Sequence, residues 1–307
     1  MALRTDHSPY TLSKSPGIFH TMRLSWIEAR PVVQFVFQLR FAAGTVLGGV
    51  AALGDLVSLP LALSAVGWLL ATWTVYLVNG VADIVEDREN NSRRPIARGR
   101  LPRRAAATVC YVLAALAFTC CALVGARMAI LVTLFLAVGL AYSTGPRPLK
   151  RSMVGFTASV TTLGLLTYLA GASAMGGQWC GPLFVHGVAM SLWMGLVGST
   201  KDLSDTRGDR LAGRRTLPVV FGERRARLLM ASGASAVGWG YLAAAAWTTN
   251  GLLPVATIVC AGSVAVTCVL FSPFSRGDRN MTRRPYRAFM VTQYSAHVAL
   301  LAPYVVA

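Results

Sequence analysis

The stretch LALSAVGWLLATWTVYLVNGVADIVEDREN, residues 61–90, decides how this chain is read. It begins as an apolar run of the length that crosses a bilayer. Asn79, Asp83 and Asp87 then follow at steps of four, with Glu86 beside them. A second apolar run ends the same way in STKDLSDTRGDR, residues 199–210, with Lys201, Asp202, Asp205 and Asp209. Steps of three, four and seven put the members of each set on one helical face. Like charges so placed repel by roughly 0.2–0.5 kcal/mol per pair even in water. Six of the twelve acidic residues, Asp83, Glu86, Asp87, Asp202, Asp205 and Asp209, make up these two sets. A hard divalent cation is the economical reason.

The rest of the chain is a membrane protein. Hydrophobic residues make up 54% and charged residues 13% of the 307, against about 25% charge in soluble domains. Mean hydropathy is +0.54. Apolar runs near 31–53, 57–80, 105–126, 128–143, 154–175, 183–200, 228–248, 252–272 and 288–306 predict nine transmembrane helices, at about 20 residues per span. The expected fold is all-α, with these helices bundled around a central cavity under cytoplasmic cap loops. A cytoplasmic N-terminal segment, 1–30, precedes one transmembrane domain, 31–307. That segment is polar and broken by Pro16 and Gly17, so no cleavable signal peptide is expected.

The net charge of +17 does not mark a nucleic-acid binder. Assigning the N-terminus and every second loop to one side collects 27 of the 29 Lys and Arg there. Arg127 falls in an opposite-side turn, and Arg40 lies inside the first span. That asymmetry follows the positive-inside rule. It predicts a multi-pass cell-membrane protein with the N-terminus and both acidic clusters cytoplasmic and the C-terminus outside. Asp55, on the opposite side, is read as a helix end. The six cysteines show no CxxC spacing, and His186 and His297 show no metal-ligand spacing; all read as core residues.

A weak internal repeat joins the two clusters. Each ends the second helix of a four-helix block and is followed by an Arg-rich loop, SRRPIARGRLP at 92–102 or GRRTLPVVFG at 213–222. Two equivalent helices delivering equivalent carboxylates suggest one shared site on the bundle axis. Mg²⁺ is typically held by one or two carboxylates plus substrate phosphates. Facing acidic sets with cations nearby suit a diphosphate bridged through metal. Its direct partners are expected among Arg93, Arg94, Arg147, Lys150, Lys201 and Arg214, since Arg reads phosphate bidentately and Lys as a point charge. Arg40, a charge deep in a span, is expected to contact substrate. The remainder of the substrate enters an apolar bundle, which describes an isoprenoid chain. Trp73, Tyr76, Tyr142, Tyr168 and Trp193 lie on spans bearing or neighbouring the motifs and offer rings to a carbocation. Deep charges and broken midplane helices, the marks of a transporter, are absent apart from Arg40.

These residues resemble the UbiA superfamily of intramembrane prenyltransferases. Its first motif, Asn-Asp-x2-Asp-x3-Asp, is matched by Asn79, Asp83 and Asp87. Its second, Lys-Asp-x2-Asp-x2-Gly-Asp, is matched by Lys201, Asp202, Asp205, Gly208 and Asp209. AYSTGPRPLK, residues 141–150, also looks like family sequence. The resemblance implies Mg²⁺ held by Asn79, Asp83, Asp87, Asp202, Asp205 and Asp209. It implies catalysis by Asp83, Asp87, Asp202 and Asp205 with Tyr142, and places Lys150 by the diphosphate. The implied reaction transfers a prenyl group from an isoprenyl diphosphate to an aromatic or quinone-like acceptor. The alternative is cyclisation of the chain on itself, as some relatives perform. One departure stands out: Gly80 replaces an Asp of the first motif, and Glu86 is the expected substitute.

Overall fold

A computed structural model describes residues 17–49 and 58–306. Asp55 and residues 1–16 lie outside the described residues. Everything described is helix or short connection, apart from one isolated bridge between Ser152 and Arg215. The first helices are α1 (Ile18–Glu28), α2 (Pro31–Leu47), α3 (Leu59–Ala82), α4 (Ile84–Glu89), α5 (Arg103–Val124), α6 (Ala126–Ser143) and α7 (Met153–Ser173). They are followed by α8 (Gly181–Leu192), α9 (Thr206–Leu211), α10 (Leu217–Thr248), α11 (Leu253–Phe271), α12 (Arg279–Thr282) and α13 (Arg284–Val306).

All nine expected runs are helical over their described residues. Among the described residues, seven helical runs are long and apolar enough to cross a membrane. The other two are α2, whose described part is 17 residues, and α13, which carries Arg284, Arg287, Gln293 and His297. Contacts run from α2 through α3, α5, α6, α7, α8, α10, α11 and α13 back to α2, so the bundle closes on itself. Two buried histidines inside it are held by tyrosines: His186 Nδ1 meets Tyr241 Oη at 2.7 Å and His297 Nε2 meets Tyr168 Oη at 2.6 Å. The two histidines are core residues, as their setting in the sequence suggests. All six cysteines are free.

Across the ring, α2 crosses α7 with the backbones in contact. A Cβ on Gly44 would overlap the Tyr168 carbonyl, and one on Gly171 would overlap the Phe41 carbonyl. Small residues permit this approach, as is common between membrane helices. Thr45 Oγ1 reinforces it by donating to Gly171 O at 3.1 Å.

The acidic motifs do not lie on uninterrupted helices, which corrects the single-face expectation. Asp83 (φ −93°, ψ 16°) separates α3 from α4, and Asp205 (φ −116°, ψ 6°) separates the second motif's helix from α9. Beyond α8 the chain winds as a π-turn, Trp193–Val197, and then as a 3₁₀ segment, Gly198–Ser204. Changes of winding of this kind re-aim side chains and are frequent at functional sites. The two short helices pack on each other, and Gly208 N donates to Asn90 Oδ1 at 3.2 Å.

Candidate active site

The junctions bring the two motifs to one cavity. It has a volume of about 140 Å³, and its polar lining includes Asn79, Asp83, Lys201, Asp202, Arg214 and Arg30. From there it runs down α2 to Arg40 and across to Gln293 on α13. Ten residues of α2 separate Arg30 from Arg40, or about 15 Å of helical rise. Between these ends the wall is mainly apolar and aromatic, including Tyr76, Tyr142, Phe156, Tyr286 and Phe289.

Four of the five motif carboxylates are each paired with a cation; among the described residues Asp202 alone of the five has no ion-pair partner. Lys150 Nζ donates to Asp83 Oδ1, and Arg94 Nη1 lies 2.7 Å from Asp87 Oδ2. Lys201 lies 3.1 Å and Arg279 2.9 Å from Asp205, and Arg214 lies 3.2 Å from Asp209. Burial pushes the Asp83 carboxyl up, but Lys150 and then Arg214 outweigh it and hold the group below its ordinary value. Burial also raises Asp205, and Lys201 and Arg279 again reverse it strongly. Both remain ionised at neutral pH. At Asp209 burial wins over Arg214, and the carboxyl is raised.

The donors facing the cavity are oxygens of a kind a hard divalent cation accepts: the Asn79 amide and the Asp83 and Asp202 carboxylates. Asp209 Oδ2 is buried without a hydrogen-bond partner. Among the described residues, no three acidic, His or Cys side chains converge into a ready-made metal cage. That arrangement fits Mg²⁺, which takes a few protein oxygens and completes its shell from water and substrate phosphate.

Not every expected residue arrives. Arg93 and Arg147 are exposed and stand outside the cavity. In each Arg pair one member turns in and one out: Arg94 and Arg214 are buried, while Arg93 and Arg215 face solvent. Trp73 stacks edge-on against Trp26 at 4.9 Å, away from the cavity, and Trp193 lies behind Phe289 at 5.9 Å. Tyr168 is held by His297. Glu86 is half-buried on α4, and the carboxylate beside Gly80 is Glu28 instead.

Sequence reasoning missed Arg30, Glu28, Arg279 and Gln293. Arg30 lines the cavity from a left-handed backbone conformation, φ 59°, directly before Pro31. Such a backbone costs on the order of 1–3 kcal/mol in a non-glycine residue and is kept where the surroundings impose it. An Arg-Pro step at the start of an apolar run was the signal available.

Fold and site together define a membrane-embedded enzyme of the prenyl-transferring class, with paired acidic motifs over an apolar interior. The chain belongs to the UbiA prenyltransferase family, whose family model matches residues 41–293. It is 34% identical over 220 residues to digeranylgeranylglyceryl phosphate synthase of Halobacterium salinarum, covering 66% of this chain and 74% of that protein. A 42-residue stretch is 48% identical to diterpene cyclase eriG of Hericium erinaceus, 14% of each chain. Among solved structures, a UbiA homologue from Archaeoglobus fulgidus bound to GPP and Mg²⁺ superposes with a TM-score of 0.68 at 20% identity, over 91% of this chain and 99% of that one.

Proposed function

We propose that this protein ionises an isoprenyl diphosphate and transfers the prenyl group to an acceptor, which the aromatic lining suits to an aromatic or quinone-like molecule. The observation that carries this reading is one cavity with two matched acidic motifs at its polar end and an aromatic interior below. Bound Mg²⁺ would supply electrostatic stabilisation of the departing diphosphate. Asn79, Asp83 and Asp202 are the side chains placed to hold it. Arg30, Lys201 and Arg214 line the same volume, Lys150 adjoins it through its pair with Asp83, and together they would neutralise and orient the diphosphate. The C1–O bond breaks with its electron pair leaving on the diphosphate. The allylic cation is then left among Tyr76, Tyr142, Phe156 and Phe289. Well-placed rings stabilise such a cation by about 0.5–2 kcal/mol each, and an apolar wall keeps out the water that would quench it. The acceptor's nucleophilic atom bonds to C1 and gives up its proton to the released diphosphate.

A second cavity favours a second substrate. It measures about 230 Å³, opens between α7 and α10, and shares Phe156, Asp202 and Arg214 with the first. Cyclisation needs no such route, whereas transfer does. The cyclase reading rests on the short, highly identical match to a diterpene cyclase and on the Gly80 departure. Purified protein given Mg²⁺ and C10 to C20 diphosphates, with and without an aromatic acceptor, separates the two. Prenylated acceptor is expected. Cyclic hydrocarbon formed without acceptor would assign the cyclase instead.

The Arg-rich loops 88–104 and 206–222 adjoin the site, which supports a cytoplasmic side for it. In a cysteine-free background, Arg100→Cys and Arg210→Cys are expected to react with impermeant maleimide only from the cytoplasm. A tag after Ala307 is expected only outside; cytoplasmic exposure of that tag would mean that the number of spans is wrong by one.

A further inference from the structure

The two motifs correspond position by position. Asn79 matches Lys201, Asp83 matches Asp205, and Asp87 matches Asp209, with α4 and α9 following the same break. In that register Gly80 stands opposite Asp202. One half of the site therefore lacks an acid in its own sequence.

The missing carboxylate is present in space. A Cβ placed on Gly80 would overlap Glu28 Oε1 and fall 2.5 Å from Arg94 Nη2. Glu28 ends α1, far away in sequence, and is fully buried. Its Oε1 forms an ion pair with Arg94 Nε at 2.6 Å, and its Oε2 accepts from Ile96 N at 2.8 Å. Its backbone oxygen accepts from Arg94 Nη2 at 3.2 Å. The other edge of the same guanidinium holds Asp87 at 2.7 Å and lies 4.0 Å from Asp83. Glu28 thus reaches the first motif through Arg94. The helix that carries it is anchored by Trp26 against Trp73 and by Leu24, which packs with Leu77, Ile84, Ile96 and Leu101.

We infer that Glu28 is a positioning residue that takes the place of the motif acid absent at position 80. It clamps Arg94 so that Asp83 and Asp87 are held in their working arrangement. Position 80 is glycine because the Glu28 carboxylate occupies the volume a side chain there would need. The two solutions exclude each other: an acid on α3 at position 80, or an acid from α1 at position 28. The inference deepens the diphosphate-ionising reading and rests on it.

The test is a reciprocal swap in the full-length protein. Glu28→Gln keeps the volume and removes the charge. It is expected to lower kcat roughly ten- to hundredfold, as loss of a residue orienting a site ligand commonly does, with a smaller change in KM for geranylgeranyl diphosphate. Gly80→Asp alone is expected to be impaired, because two carboxylates then compete for one volume. The double variant Glu28→Ala/Gly80→Asp is expected to recover turnover to within a few fold of the unmodified chain. Melting temperatures without Mg²⁺ or diphosphate supply a second readout and should show the same recovery. If Glu28→Ala alone fails to fold, folding of the double variant is the expected rescue. Unchanged kcat in Glu28→Gln, or a double variant no better than the worse single one in both readouts, would overturn the inference. Absence of turnover in the unmodified protein would defeat the proposed function, while the melting comparison would still report the coupling.

Discussion

Asparagine in place of Asp83, Asp202 or Asp205 is expected to lower turnover by about 10²–10³-fold, as removal of one preorganised electrostatic contact to developing charge typically does. Asn keeps the volume of each side chain and removes the anion. Asp83 and Asp202 line the cavity, and Asp205 fixes Lys201, which lines it too. A variant that merely lost an exposed ion pair would shift stability by less than about 1 kcal/mol and leave chemistry alone. These carboxylates are at most 7% exposed, so their charge acts in a water-poor setting. Pyrophosphate release from whichever C10 to C20 diphosphate the unmodified protein turns over is the readout, with size-exclusion profiles confirming that each variant is folded. Turnover within tenfold of the unmodified protein in all three would remove the motifs from the mechanism. Asp87 is half-buried and engaged by Arg94, so Asp87→Asn is expected to have a smaller effect.

Arg214 carries the second large effect. It borders both cavities, pairs with Asp209, and is buried. Arg214→Ala withdraws a proposed diphosphate contact and leaves the buried Asp209 carboxylate unpaired, which costs about 3–5 kcal/mol when a buried pair is broken. Both the melting temperature and kcat should fall. Arg214→Lys separates the two roles. The ammonium keeps the charge beside Asp209 but lacks the planar fork that reads phosphate bidentately. Stability is therefore expected to recover largely and turnover only in part. Full recovery of both by Lys would reduce Arg214 to a structural counter-ion.

The sequence made the site's chemistry more legible than its geometry. Apolar runs and basic loops announced the nine helices, because length and charge asymmetry are dictated by the bilayer rather than by packing. Motif spacing located Asp83, Asp202 and their partners, since like charges are not gathered without cause. It did not show that Asp83 and Asp205 would break their helices, because junctions depend on how α4 and α9 pack. Arg93 and Arg94 are adjacent and chemically equal, and only the fold decides which turns inward. Glu28 was invisible for a different reason. It lies in a segment read as outside the transmembrane domain, and its role emerges only where α1 docks beside Gly80.

The central proposal is that both motifs clasp one diphosphate through metal. Calorimetric binding of a non-hydrolysable geranylgeranyl thiolodiphosphate to the purified protein tests this directly. Binding is expected with Mg²⁺, lost in EDTA, restored by adding Mg²⁺ back, and absent from the Asp83→Asn/Asp202→Asn double variant. Equal affinity in EDTA, or in the folded double variant, would contradict it.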